Sequence, residues 1–150
     1  MARSLKRKAR QWVPVAGSEE GGNLVAFRMR PATYLEHEMA VERASTAARQ
    51  LQEAEEVRIA YGLEEFEISE VVDEGEVLLG FSKSLLATEL ALIVADDFKG
   101  YLGEDGEPAA FSRRNVALAM QDWQGGVSIA HLFLNLALAP VYLEAVEEKP

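Results

Sequence analysis

Lys99-Gly-Tyr-Leu-Gly-Glu-Asp-Gly-Glu-Pro-Ala-Ala-Phe-Ser112 is a polar, glycine-rich interruption between two strongly apolar stretches. Asp105-Gly106 supplies the positive φ that a tight turn demands, and Pro108 stops a helix from continuing through it. Ser112 is placed to accept from the first free amides of a following helix, with Phe111 and Val116 at the two staple positions around that cap. Gly106, Pro108, Phe111 and Ser112 are therefore turn-shaping residues, and they act on the backbone.

Upstream of this turn, Leu85 to Phe98 reads as a helix with a broad apolar face of Leu85, Leu86, Leu90, Ile93, Val94 and Phe98, capped by Ser82 or Ser84. Downstream, a helix is expected from Arg113 to Trp123, stopped by Gly125-Gly126, and another from about Ser128 to Val146 with a kink or break at Pro140. The last helix is apolar all round, which calls for burial either in its own fold or against another chain. His131, Asn135, Pro140 and Glu144 interrupt it, against the roughly 20 consecutive apolar residues of a membrane span, so no membrane segment is expected.

Towards the N-terminus, Trp12–Val15 and Leu24–Met29 are short and β-compatible, separated by the loop Ala16-Gly-Ser-Glu-Glu-Gly-Gly-Asn23. Pro14 confines the first strand to an edge. Thr33-Tyr34-Leu35-Glu36 matches a capping box, so a long amphipathic helix should start there and run to Gly62. Its apolar stripe comprises Leu35, Met39, Ala44, Ala47, Ala48, Leu51 and Ala54. Residues 64–76 carry seven acids and no base, and read as a partly ordered connector, with a short surface strand or helix as the alternative. The expected fold is mainly α, a small helical domain of about four helices with a short N-terminal β-hairpin. Residues 1–11 form a basic flexible arm, 12–146 a single α-rich domain, and 147–150 a tail.

A chain of 150 residues with 49% hydrophobic content is long enough for one domain with a real core. It has no cysteine, which excludes disulfides and thiolate metal sites, and no apolar leader pattern, so a cytoplasmic protein is expected. Charge is uneven: residues 1–31 carry seven Lys/Arg and two acids, whereas 32–150 carry eight and twenty-three, giving −10 overall. An acidic body repels phosphates, making nucleic acid a poor partner except through Arg3, Lys6, Arg7, Lys8 and Arg10. That arm otherwise serves as a solubilising tail or docks on the acidic body of a neighbouring copy.

No catalytic pattern emerges. Glu36-His37-Glu38 would point in different directions from a helix, and with two histidines in the chain a three-His zinc site is excluded. His131 sits in an apolar run, as a core or interface histidine would. Asp96-Asp97 would oppose the dipole at a helix C-terminus. Glu104-Asp105-Gly106-Glu107 lacks the alternating spacing of a calcium loop, and no G-K-[ST] or G-x-S-x-G motif occurs. No catalytic residue, metal ligand or cofactor site is therefore assigned.

The order of features is informative: a strand ending Phe27-Arg28-Met29-Arg30-Pro31-Ala32-Thr33, a long charged helix, an apolar helix, the Gly-Tyr-Leu-Gly-Glu-Asp-Gly-Glu-Pro turn, and a C-terminal Val141-Tyr142-Leu143-Glu144-Ala145. Over residues 24–145 this resembles the tail assembly chaperones of long-tailed bacteriophages, prophages and gene transfer particles. The resemblance implies a non-enzymatic protein of the host cell cytoplasm that coats the helical tape measure protein and recruits tail tube protein. It further implies self-association and the absence of cofactors. Leu132, Leu136 and Tyr142 on the last helix, with Leu35, Met39 and Leu51 on the first, are the expected partner-binding residues. The alternative is a structural tail or connector component retained in the particle.

Overall fold

The computed structural model describes residues 4–66, 74–139 and 141–144, with side chains described outside 74–80. In order, the elements are β1 (Gln11–Ala16), β2 (Val25–Met29), α1 (Tyr34–Gln50), α2 (Glu55–Ala60), α3 (Glu74–Val94), β3 (Ala95–Lys99), α4 (Arg113–Met120), β4 (Trp123–Gln124), β5 (Val127–Ser128) and α5 (Ile129–Leu138). The fold is thus mixed α/β, not mainly α: among the described residues, five helices accompany a three-stranded antiparallel sheet ordered β1-β2-β3 and a two-stranded sheet of β4 and β5.

The largest correction concerns Ala95–Lys99, which continues α3 in apolar pattern but forms a strand against β2. Two consecutive carboxylates are poorly placed at the negative end of a helix. As part of a strand, Asp96 instead takes both Arg28 nitrogens across the sheet at 2.7 Å, while Ala95 and Phe98 turn into the core. Gly100 ends the strand at φ +115°, where an added Cβ would come within 2.5 Å of the Leu24 carbonyl oxygen. Only glycine fits that approach.

Other boundaries also move. α1 stops at Gln50, and the separate helix α2 intervenes before Gly62. Gly125-Gly126 forms the turn of the β4–β5 hairpin, which Gln124 ties to the Asn23 carbonyl at 3.0 Å. α5 ends at Leu138, and Val141–Glu144 turns back to the N-terminal arm. The Pro140 kink and the tail at 147–150 fall outside the described residues, as does most of the expected connector, at 67–73.

Helix α3 packs against α1, α4 and α5 and presents Ala87, Leu90, Ala91 and Val94 to the main core. Phe27 of β2 lies at the sheet–helix junction, with its ring centroid 5.6 Å from Phe98 and 5.1 Å from Phe133. Burying such a side chain stabilises the fold by about 1.5–3 kcal/mol. A second cluster joins Ala44, Ala47, Ala48 and Leu51 with Tyr61, Leu63, Leu85 and Ala117. The alanine stripe of α1 is therefore consumed inside this chain.

Candidate functional site

The Lys99–Ser112 segment folds back on itself. Leu102 and Pro108 form an isolated bridge, and the Gly103 amide donates to the Glu107 carbonyl at 2.7 Å. Gly106 adopts φ +80°, and Asp105 accepts from the Glu107 amide at 3.0 Å. Ser112 caps α4 by accepting from the Asn115 amide at 3.2 Å. Phe111 packs edge-on to Phe98, with centroids 5.7 Å apart.

At the start of α1, Thr33 and Glu36 form the capping box in both directions. Glu36 also accepts from Arg7, and Arg30 lies 3.6 Å away. Burial alone would raise the Glu36 carboxyl, but the Thr33 amide and the two guanidinium groups outweigh it and hold the carboxyl below its usual range. The Nε atoms of Arg7 and Arg30 are buried without a partner. The arm continues through antiparallel pairing of Arg7 with Leu143, and Lys8 donates to the Tyr142 carbonyl at 2.9 Å. Arg10 reaches the Val94 carbonyl at the end of α3 at 3.1 Å.

The six expected partner-binding residues separate into different environments. Leu51 is completely buried. Leu132 and Leu136 are half-buried against the main core. Leu35 is 70% exposed, as are Tyr34 at 73% and, to a lesser degree, Met39, Val41 and Tyr142. The Ala32 amide donates to the Ala137 carbonyl at 3.0 Å, which brings the beginning of α1 beside the end of α5. Tyr34 and Leu35 on α1 thereby share one end of the molecule with exposed Leu138 and Val141.

Further along the same face of α1, beyond Met39, an open cleft of about 470 Å³ runs between α1 and α2. Arg43, Thr46 and Gln50 line one wall, Glu56, Val57 and Ala60 the other, and Tyr61, Glu89 and Arg113 its floor. Glu89 is 2% exposed and fully engaged: Arg113 donates through Nε at 3.0 Å and Nη2 at 3.1 Å, and the Tyr61 hydroxyl donates at 3.0 Å. The Arg113 side chain stays 45% exposed. The Glu89 carboxylate raises the Arg113 pKa, against the lowering effect of burial. Burial and the neighbouring Glu89 charge push the Tyr61 hydroxyl up, so it remains protonated as a donor. Glu89 is the only charged residue between Lys83 and Asp96, a sequence signal that requires a cation and does not reveal which one.

Other polar candidates are dispersed. Exposed His131 contacts Lys83 at 3.3 Å and Asn135 at 3.2 Å, Asp97 accepts from the Phe98 amide, and Glu107 lies in the turn. Among the described residues no group of three or more His, Asp or Glu is arranged to hold a metal ion, and no helix is long and apolar enough to cross a membrane. No family model matches the chain, and neither a curated protein nor a solved structure matches it.

Proposed function

We propose that this chain is a non-enzymatic assembly chaperone of a long-tailed phage or related particle, which engages the helical tape measure protein and recruits tail tube protein in the host cell cytoplasm. The observation that carries the reading is the exposure of apolar Tyr34, Leu35 and Met39 on α1 and of Leu138 and Val141 after α5, whose end the Ala32–Ala137 hydrogen bond ties to the start of α1. Exposed apolar side chains that gather into one patch mark protein-docking sites. An amphipathic client helix, with apolar residues at three- and four-residue spacing, is the partner chemistry that suits such a surface. The acidic body, with a net charge of −10, supports a protein client over nucleic acid. The order of motifs from Phe27 to Ala145 supplies the family expectation.

Leu35 and Met39 remain in the proposed docking surface, while Leu51 is withdrawn to a core role. Tyr142 retains a place at its margin. The test is co-expression with the tape measure protein of the same particle. A rise in soluble tape measure protein together with co-purification is expected; insolubility and no complex would contradict the reading. Retention in finished particles, read by mass spectrometry, would favour the structural-component alternative.

A further inference from the structure

We propose that the cleft between α1 and α2 binds a small zwitterion of amino-acid type, with its carboxylate on Arg113 and Arg43 and its ammonium group at Glu42 or Glu56. This site begins one turn along α1 from Met39, shares no lining residue with the exposed apolar end, and does not depend on the chaperone reading.

The argument begins with Glu89. Removing a carboxylate from water is costly even when it is paired, and an apolar residue of similar volume often serves stability equally well. Here the buried carboxylate fixes one edge of the Arg113 guanidinium through two hydrogen bonds, and Tyr61 fixes the carboxylate in turn. Nη1 of Arg113 is left outside that arrangement, on a side chain that is partly exposed and lines the cleft. A guanidinium held in one orientation by a buried carboxylate is a preorganised receptor for a planar oxyanion. Arg43 lines the same cleft and has no hydrogen bond or ion pair among the described residues. Gln50 adds an amide.

The opposite charge is present as well. Glu42 and Glu56 line the cleft, and neither has an ion pair among the described residues. Two carboxylates disfavour a doubly charged phosphate, whereas they complement an ammonium group on the same ligand. The volume of about 470 Å³ lies in the range of small-molecule sites, about 300–1,000 Å³.

The test is an NMR titration of the isotope-labelled full chain with γ-aminobutyrate, with glutarate, putrescine and inorganic phosphate as separate probes. Saturable shifts at the amides of Arg43, Thr46 and Gln50, strongest with γ-aminobutyrate and weaker with glutarate, are expected. Arg43→Gln should weaken γ-aminobutyrate binding about tenfold, the loss of one charge-assisted hydrogen bond. Arg113→Lys should do the same; if that variant does not fold, Arg43→Gln decides alone. An absence of saturable shifts, binding of putrescine or phosphate in preference, or unchanged affinity in Arg43→Gln would overturn the proposal. None of these outcomes depends on the tape measure protein, so failure here and failure of the chaperone reading are separable.

Discussion

Arg113 grips Glu89 through two nitrogens, at 3.0 and 3.1 Å, joining the first turn of α4 to the C-terminal part of the central helix α3. The arginine side chain is half in solvent and the glutamate is buried, so the two ends of the pair are not equivalent. Losing the arginine strands a charge in the interior. Losing the glutamate leaves a guanidinium that water can still reach.

Arg113→Ala should therefore destabilise the fold by about 3–5 kcal/mol, the cost of breaking a buried ion pair from one side. Glu89→Met should cost clearly less, because the thioether packs among apolar neighbours. Urea denaturation of the two variants checks the order; equal losses would show that the pair does not share its burden unequally.

Phe27 links the sheet to α5 through Phe98 and Phe133. Phe27→Ala should cost about 3–5 kcal/mol, read as a lower urea midpoint with unchanged slope. A loss below 1 kcal/mol would place the centre of the core elsewhere.

In the Lys99–Ser112 turn, Gly106 has φ +80° with open space around it, so Gly106→Val meets backbone strain and no clash. The expected loss is about 1–2 kcal/mol. Asp105→Ala removes the bond to the Glu107 amide and should cost about 0.5–1.5 kcal/mol. Glu104→Ala should stay within about 0.5 kcal/mol. The two acids differ because only Asp105 shapes the backbone.

Stability should fall at both pH extremes for identifiable reasons. The Glu36 carboxyl is held below its ordinary value of 4.5 in the folded chain, so its contribution is present above that pH and is lost as pH drops through the folded value. Glu36→Gln should flatten this acid limb. At the alkaline end, the Tyr101 hydroxyl donates to Asp122 at 2.9 Å as Tyr61 does to Glu89, and burial together with these carboxylates raises both hydroxyls above 10.0. Their contribution is present below pH 10.0 and fades above it, because the unfolded chain releases those protons first. An ultraviolet phenolate titration should show Tyr61 and Tyr101 ionising only as the fold opens.

Local signals in the sequence are legible where neighbours along the chain satisfy one another. Thr33 and Glu36 close their box within one turn, Ser112 caps α4, and the two strands around Ala16–Asn23 pair as a hairpin. Long-range satisfaction is what the sequence conceals. Apolar residues continue from Leu85 to Phe98 without a break in helical pattern, yet Arg28, distant in the chain, draws Asp96 into a sheet. Glu89 announces that it needs a cation, but Arg113 and Tyr61 meet it only through the packing of α2 and α4 on α3. In α1, alanines and larger apolar residues at similar spacing merge into one apparent stripe, whereas Ala44, Ala47 and Ala48 face inward and Leu35 and Met39 outward.

That separation bears directly on the proposed function, because the outward residues can be changed without touching the core. The decisive measurement is the amount of tape measure protein that co-purifies with wild-type chain and with a Leu35→Glu/Met39→Glu variant of unchanged melting temperature. The account predicts that the wild type retains the client and that the double variant loses at least about tenfold in affinity, as expected when charges enter an apolar interface. Equal recovery by the two chains would contradict it.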